Sequence, residues 1–158
     1  MVTIEQSTLI HAPVERCFDL SRSIDVHVRS AEGSGEAAVA GITSGLINLG
    51  EQVTWRARHF GVWQELTSKI TQYERPDYFQ DTMLRGAFRS FQHDHYFQQE
   101  NLGATMMTDV LRFEVPFAIA GSMAEIFLRP YLARFLRERN AVLKKVAEGE
   151  EWKQYLLY

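Results

Sequence analysis

FRSFQHDHYFQQENLGATMMTDVLRFEVP, residues Phe88–Pro116, is the stretch on which the fold turns. Apolar and polar residues alternate along both halves, the period of a strand with one face toward a core. Asn101-Leu102-Gly103 separates the halves, and a glycine at its end accepts positive φ, so the segment reads as a long β-hairpin closed between Glu100 and Ala104. That register sets Phe97 opposite Met107, His95 opposite Asp109, His93 opposite Leu111 and Phe91 opposite Phe113. These residues share one face, which is expected to be inward. Ser90, Gln92, Asp94, Tyr96 and Gln98 occupy the other face and suit water. Two histidines and an aspartate therefore lie among phenylalanine and methionine on the core side.

Working outward, Asp77–Arg85 reads as the preceding strand, with Phe79, Asp81, Met83 and Arg85 on one face. A turn at Gly86-Ala87-Phe88 sets Met83 against Phe91, Asp81 against His93 and Phe79 against His95. Earlier still, Gln52–His59 and Val62–Tyr73 form a hairpin about Phe60-Gly61, with Trp55 opposite Leu66 and both inward. Arg75-Pro76 ends that run. Four consecutive strands thus make a meander. Val2–His11 is a further strand, and Ala12-Pro13 opens a short helix with Val14, Cys17 and Phe18 on its apolar side. A second short helix follows Ser21 or Ser23. Ala31–Gly50 holds a short strand at Glu36–Ala40 and then a Gly- and Ser-rich loop, either a portal or a plain surface connection.

Ala118–Glu148 carries the one long helical pattern. Ser122 and Glu125 have capping-box spacing. Phe127, Leu128, Tyr131, Phe135, Val142 and Val146 recur on one stripe. Arg134, Arg137, Glu138 and Arg139 are assigned to the remaining, solvated surface. Pro130 falls inside the pattern and predicts a kink. Gly149 is a stop. The tail Glu150–Tyr158, with Trp152, Tyr155 and Leu156, is expected to dock on the body or on a second copy, which makes a homodimer a partner to consider.

The 158 residues argue for one domain, 1–149, followed by the tail 150–158. A net charge of −3 with no basic stripe excludes nucleic acid as the main partner. Val115–Met123, the longest apolar run, is too short for stable membrane insertion. The first residues lack a secretory pattern, so a cytoplasmic location is expected. Cys17, the single cysteine, can form no internal disulfide and reads as a small buried hydrophobe.

A meander with one apolar face needs a cover, and the final helix is the only large apolar stripe left for it. The expected class is α+β: a curved antiparallel sheet wrapped around a long C-terminal helix, with two short helices after the first strand and an internal cavity. This order resembles the helix-grip fold of the START-like superfamily, also called SRPBCC. The resemblance is carried by IEQSTLIHAPVERCFDL, AGITSGLINLGEQVTWRARHFGVWQELTSKI, GAFRSFQHDHYF and TDVLRF. Locally it is to small bacterial members described as polyketide cyclase/dehydratase-like or cell-division-inhibitor-like. The resemblance implies a small hydrophobic ligand held between sheet and helix, and it supplies no catalytic motif to transfer.

The candidate site follows from the inward residues. Trp55, Phe79, Met83, Phe91, Phe97 and Met107 would wall the cavity from the sheet, and Phe127, Tyr131 and Phe135 from the helix. His59, Arg85, His93, His95 and Asp109 would supply polar contacts. Arg85 and Arg89 at the rim could receive a ligand carboxylate or enolate. The pairs His95–Asp109 and His93–Asp81 have three readings: core pairs that satisfy each other, ligand hydrogen bonding, or acid–base catalysis on an aromatic or polyketide-like substrate. His-x-His puts two rings on one face, but no further histidine is placed nearby, so no metal and no other cofactor is expected.

Overall fold

The computed structural model describes residues 1–116 and 123–157. Its elements are β1 (Val2–Ile10), α1 (Val14–Ser21), α2 (Ile24–Ser30), a 3₁₀ turn (Glu32–Ser34), β2 (Ala37–Gly41), β3 (Gln52–His59), β4 (Val62–Glu74), β5 (Tyr78–Arg85), β6 (Ser90–Asn101) and β7 (Ala104–Glu114). A π-helical turn (Ala124–Leu128), α3 (Arg129–Glu148) and a 3₁₀ turn (Glu151–Gln154) complete the chain. The seven strands form one antiparallel sheet in the order β1-β7-β6-β5-β4-β3-β2. The sheet curves around α3, with α1 and α2 following the first strand, which is the helix-grip arrangement.

The β6–β7 register matches the alternation read from the sequence: Phe91↔Phe113, His93↔Leu111, His95↔Asp109 and Phe97↔Met107. The turn differs. Asn101 rather than Glu100 pairs with Ala104, because the register shifts between Gln99 and Asn101. One extra residue in β6 shortens the connection to Leu102-Gly103, with Gly103 at φ 88°. At the β3–β4 turn, Phe60 and Gly61 both take positive φ, which matches the twist of the two strands.

Asp94 is a second correction. It lies on the outer face, yet it is only 2% exposed. Tyr78 Oη donates to it at 2.7 Å and Gln80 Nε2 at 2.8 Å, and Arg112 forms an ion pair with it. Polar side chains from neighbouring strands therefore roof this carboxylate.

Phe18 of α1 centres the larger core. Its ring meets Tyr73, Phe79 and Phe97 edge-on at 5.3–5.4 Å. Burial pushes the Cys17 thiol up to about 11, in keeping with a packed, inert side chain. Ser23 caps α2 by accepting from the Val26 N–H. The Gly- and Ser-rich loop is tied to α2, since Ile24 N–H donates to the Gly45 carbonyl and Ser23 bridges to Leu46.

Pro130 falls inside a continuous helical run, as the pattern implied: the π-helical turn Ala124–Leu128 leads directly into α3, and the proline stands just after that widened turn. The Ser122 cap lies outside the described residues. The tail packs on this chain's own helices: Arg16 lies 4.1 Å over the Trp152 ring, Arg29 Nη1 donates to Tyr155 Oη at 3.1 Å, and Leu156 joins the core. Among the described residues no helix is long and apolar enough to cross a membrane.

Gly41 shows how tightly the edge of the sheet is built. It sits at φ 74°, and a Cβ there would fall 2.2 Å from the Gln52 carbonyl oxygen. Gly41→Ala should therefore destabilise the protein by about 2 kcal/mol, read from urea unfolding; a neutral substitution would mean that β2 is free to shift.

Candidate functional site

Strand alternation brings the inward histidines together. His93 and His95 are two apart on β6, and their ring centroids are 3.8 Å apart. Phe79 of β5 stacks on His95 at 4.1 Å. Asp109 enters from β7 and Asp81 from β5. Asp109 Oδ1 accepts from His93 Nε2 at 2.9 Å and from His95 Nδ1 at 3.0 Å. His95 Nε2 donates to Asp81 Oδ2 at 3.0 Å. From α3, Asn140 Nδ2 donates to Asp109 Oδ2 at 2.7 Å.

The strand registers expected for these pairs hold, with Asp81↔His93 and His95↔Asp109. Of the two expected pairs His95–Asp109 is bonded, whereas His93 and Asp81 face each other in register but bond diagonally instead, His93 to Asp109 and Asp81 to His95, because side chains two residues apart on neighbouring strands remain within reach. Both ring nitrogens of His95 are engaged. His93 uses one, and its other nitrogen bonds to no described residue.

The electrostatics divide the two rings. Burial opposes charge on His95, but the hydrogen bonds to Asp109 and Asp81 outweigh it and hold its pKa above the usual value. Burial lowers the pKa of His93, and the charge of His95 lowers it further. Burial opposes ionisation of Asp109, yet its two histidine hydrogen bonds hold it well below the usual carboxylate range. The cluster thus favours the proton on His95, between two carboxylates, over His93 beside it. In an NMR pH titration, His95 should lose its proton at a higher pH than His93; the reverse order would refute this assignment.

One ring nitrogen from each histidine and one Asp81 oxygen lie within 4.8 Å of one another. These are the described residues that could hold a metal ion, although both ring nitrogens of His95 and Asp81 Oδ2 already serve hydrogen bonds.

The cluster forms part of the wall of a cavity of about 340 Å³ between the inner sheet face and α3. Trp55, His59, Phe79, Phe91, Tyr131 and Phe135 line it, together with His93, His95 and Asp81. At its other end His59 Nδ1 and Tyr131 Oη are 2.6 Å apart, joining β3 to α3. Burial lowers the pKa of His59 and raises that of Tyr131.

Four expected wall residues, and the expected polar contacts Arg85 and Asp109, stand elsewhere. Phe97 and Met107 are sealed in the core beneath the cavity. Asp109, 1% exposed, stands behind the histidines and acts through them. Met83 and Arg85 lie toward the end of β5, beyond the cavity lining, with Arg85 exposed. Phe127 is 57% exposed in the π turn, where the altered helical phase carries it off the inward stripe.

Among the lining groups that sequence reasoning missed, three polar ones stand out. Glu36, placed in a strand, instead precedes β2 and bonds to His27, whose ring stacks on Trp55 at 4.0 Å. Ser68 is buried on β4. Arg139, assigned to the solvated helix surface, is 9% exposed and lines the cavity. A signal for it was present: it falls three residues after Leu136 and four before Leu143, on the buried stripe.

No family model matches the chain, and no curated protein matches it. Solved structures do. A protein of Thermus thermophilus superposes with a TM-score of 0.74 at 14% identity, covering 91% of this chain and 95% of that one. A START superfamily protein from Mycobacterium smegmatis gives 0.67 at 11% identity, covering 92% and 97%. Norcoclaurine synthase from Thalictrum flavum, solved with dopamine and hydroxybenzaldehyde, gives 0.64 at 8% identity, covering 92% and 85%. The fold is that of the START-like, SRPBCC superfamily.

Proposed function

We propose that the protein binds and carries a small hydrophobic molecule in the cavity between the sheet and α3, as a cytoplasmic carrier. The observation that carries this reading is the cavity itself. Its volume of about 340 Å³ lies within the range of small-molecule sites, and rings and aliphatic side chains supply most of its wall. A few convergent polar groups, chiefly Asp81, His93 and the His59–Tyr131 pair, would orient the ligand. The START superfamily neighbour, and the synthase solved with two small aromatic molecules, support a small-molecule pocket on this fold. A cyclase or dehydratase is the second reading, motivated by the histidine–aspartate cluster. It ranks lower because both nitrogens of His95 are engaged, so exchanging a proton with a substrate would first break an ion pair.

N-phenylnaphthylamine, a neutral apolar dye, tests the carrier reading. Saturable fluorescence enhancement at one dye per chain is expected. A linear, unsaturable response would remove the reading.

A further inference from the structure

Arg139 is the feature of the cavity that neither the fold nor the histidine cluster explains. Its side chain is nine-tenths buried, at 9% exposure, in a wall made mostly of apolar groups. Among the described residues it has no hydrogen-bond or ion-pair partner. No sealed side-chain nitrogen or oxygen among them lacks a hydrogen bond. The unbonded guanidinium nitrogens are therefore the ones open to the cavity.

A buried guanidinium keeps its charge and carries five N–H donors in a planar fork. Leaving them unmatched in a low-dielectric wall is costly. The fields of Glu36 and Asp81 reach Arg139, and both carboxylates face the same cavity. Each already has a histidine partner: Glu36 bonds to His27 and Asp81 to His95. Asp109 is held by His93, His95 and Asn140. Glu65, a further acidic residue of the lining, is exposed. The three inner carboxylates are thus bonded, and one inner cation is not.

We propose that Arg139 is the anchor for a carboxylate on the ligand, so that the cavity selects a singly charged amphipathic acid with an apolar body. The proposal rests on the carrier reading above and names its ligand class. Arg139 projects from the middle of α3, so the acid head would lie against the helix and the apolar body against Trp55, Leu66, Phe79 and Phe91. Fork-to-carboxylate pairing gives two parallel hydrogen bonds, which a neutral hydroxyl cannot match. The nearby Glu36 and Asp81 charges disfavour a second negative group on the ligand.

The test compares naphthoate with naphthalenemethanol, two probes with the same rings that differ in charge. Calorimetry at neutral pH on the wild-type chain should show naphthoate binding about tenfold tighter or more. Arg139→Met should abolish that preference while leaving the affinity for naphthalenemethanol within about twofold, and Arg139→Lys should keep part of it. Equal wild-type affinities would overturn the proposal, as would an unchanged ratio in Arg139→Met. The wild-type ratio decides even where a variant does not fold. Binding of naphthalenemethanol without any preference sinks only the anion anchor. Binding of neither probe sinks the carrier reading and the anchor together.

Discussion

Replacing Asp109 with alanine should lower stability by about 3–5 kcal/mol, among the largest effects of any single substitution in this chain. Asp109 is 1% exposed and accepts from three groups on two elements: His93, His95 and Asn140. Its removal leaves those donors buried without their acceptor and takes from His95 one of the two carboxylates that favour its protonated form. Melting should fall by roughly 10 °C in a domain of this size. The pH dependence has a definite sign. Asp109 is held low in the folded chain, so its contribution is present above the free-aspartate value and fades as pH falls through its folded pKa. The gap between wild type and Asp109→Ala should therefore narrow in acid. His95 works the other way: its raised pKa adds stability below the free-histidine value, and that increment is lost as pH rises through its folded pKa. A penalty under about 1 kcal/mol at neutral pH would show that the cluster is dispensable to the fold.

Leu66→Trp should weaken N-phenylnaphthylamine binding more than tenfold while the chain stays folded. Leu66 is half-buried on β4 opposite Trp55, and both line the cavity. A larger ring at position 66 grows into open volume rather than into packed core, so the stability cost should stay near or below about 1 kcal/mol. Dye titration and thermal melting, taken together, check both halves. Unchanged dye affinity in a folded variant would place the binding surface elsewhere.

How much of this was legible in the sequence depends on which physical rule was acting. Period-two alternation through Phe91, His93, His95 and Phe97 set the inward face of β6, and the pairing across to β7 and β5 followed from it. Alternation has no means of showing a bulge, so the closing pair of the hairpin was displaced by one residue. Nor does it show that polar side chains on an outer face can bury one of their own, as Tyr78, Gln80 and Arg112 bury Asp94. The site was legible as a cluster of residue types, but the diagonal bonds depend on side-chain reach and sheet geometry. The arginine was sought at the rim, in Arg85 and Arg89, on the sound reasoning that a guanidinium suits a carboxylate. Residue type alone sends an arginine to the surface, whereas its position on the helical stripe placed Arg139 inside. Phe127 failed for the converse reason, since a π turn rotates the residues before Arg129 off the phase of the α-helix.

The central claim is that the space between sheet and α3 takes a small hydrophobic molecule. Amide and methyl NMR of the labelled protein, titrated with N-phenylnaphthylamine, tests it most directly. The account predicts saturable shifts concentrated on Trp55, Ala57, Leu66, Phe79, Leu132 and Leu136, which line the cavity from both layers. Shifts confined to exposed apolar residues such as Ile126, Phe127 and Leu157 would contradict it.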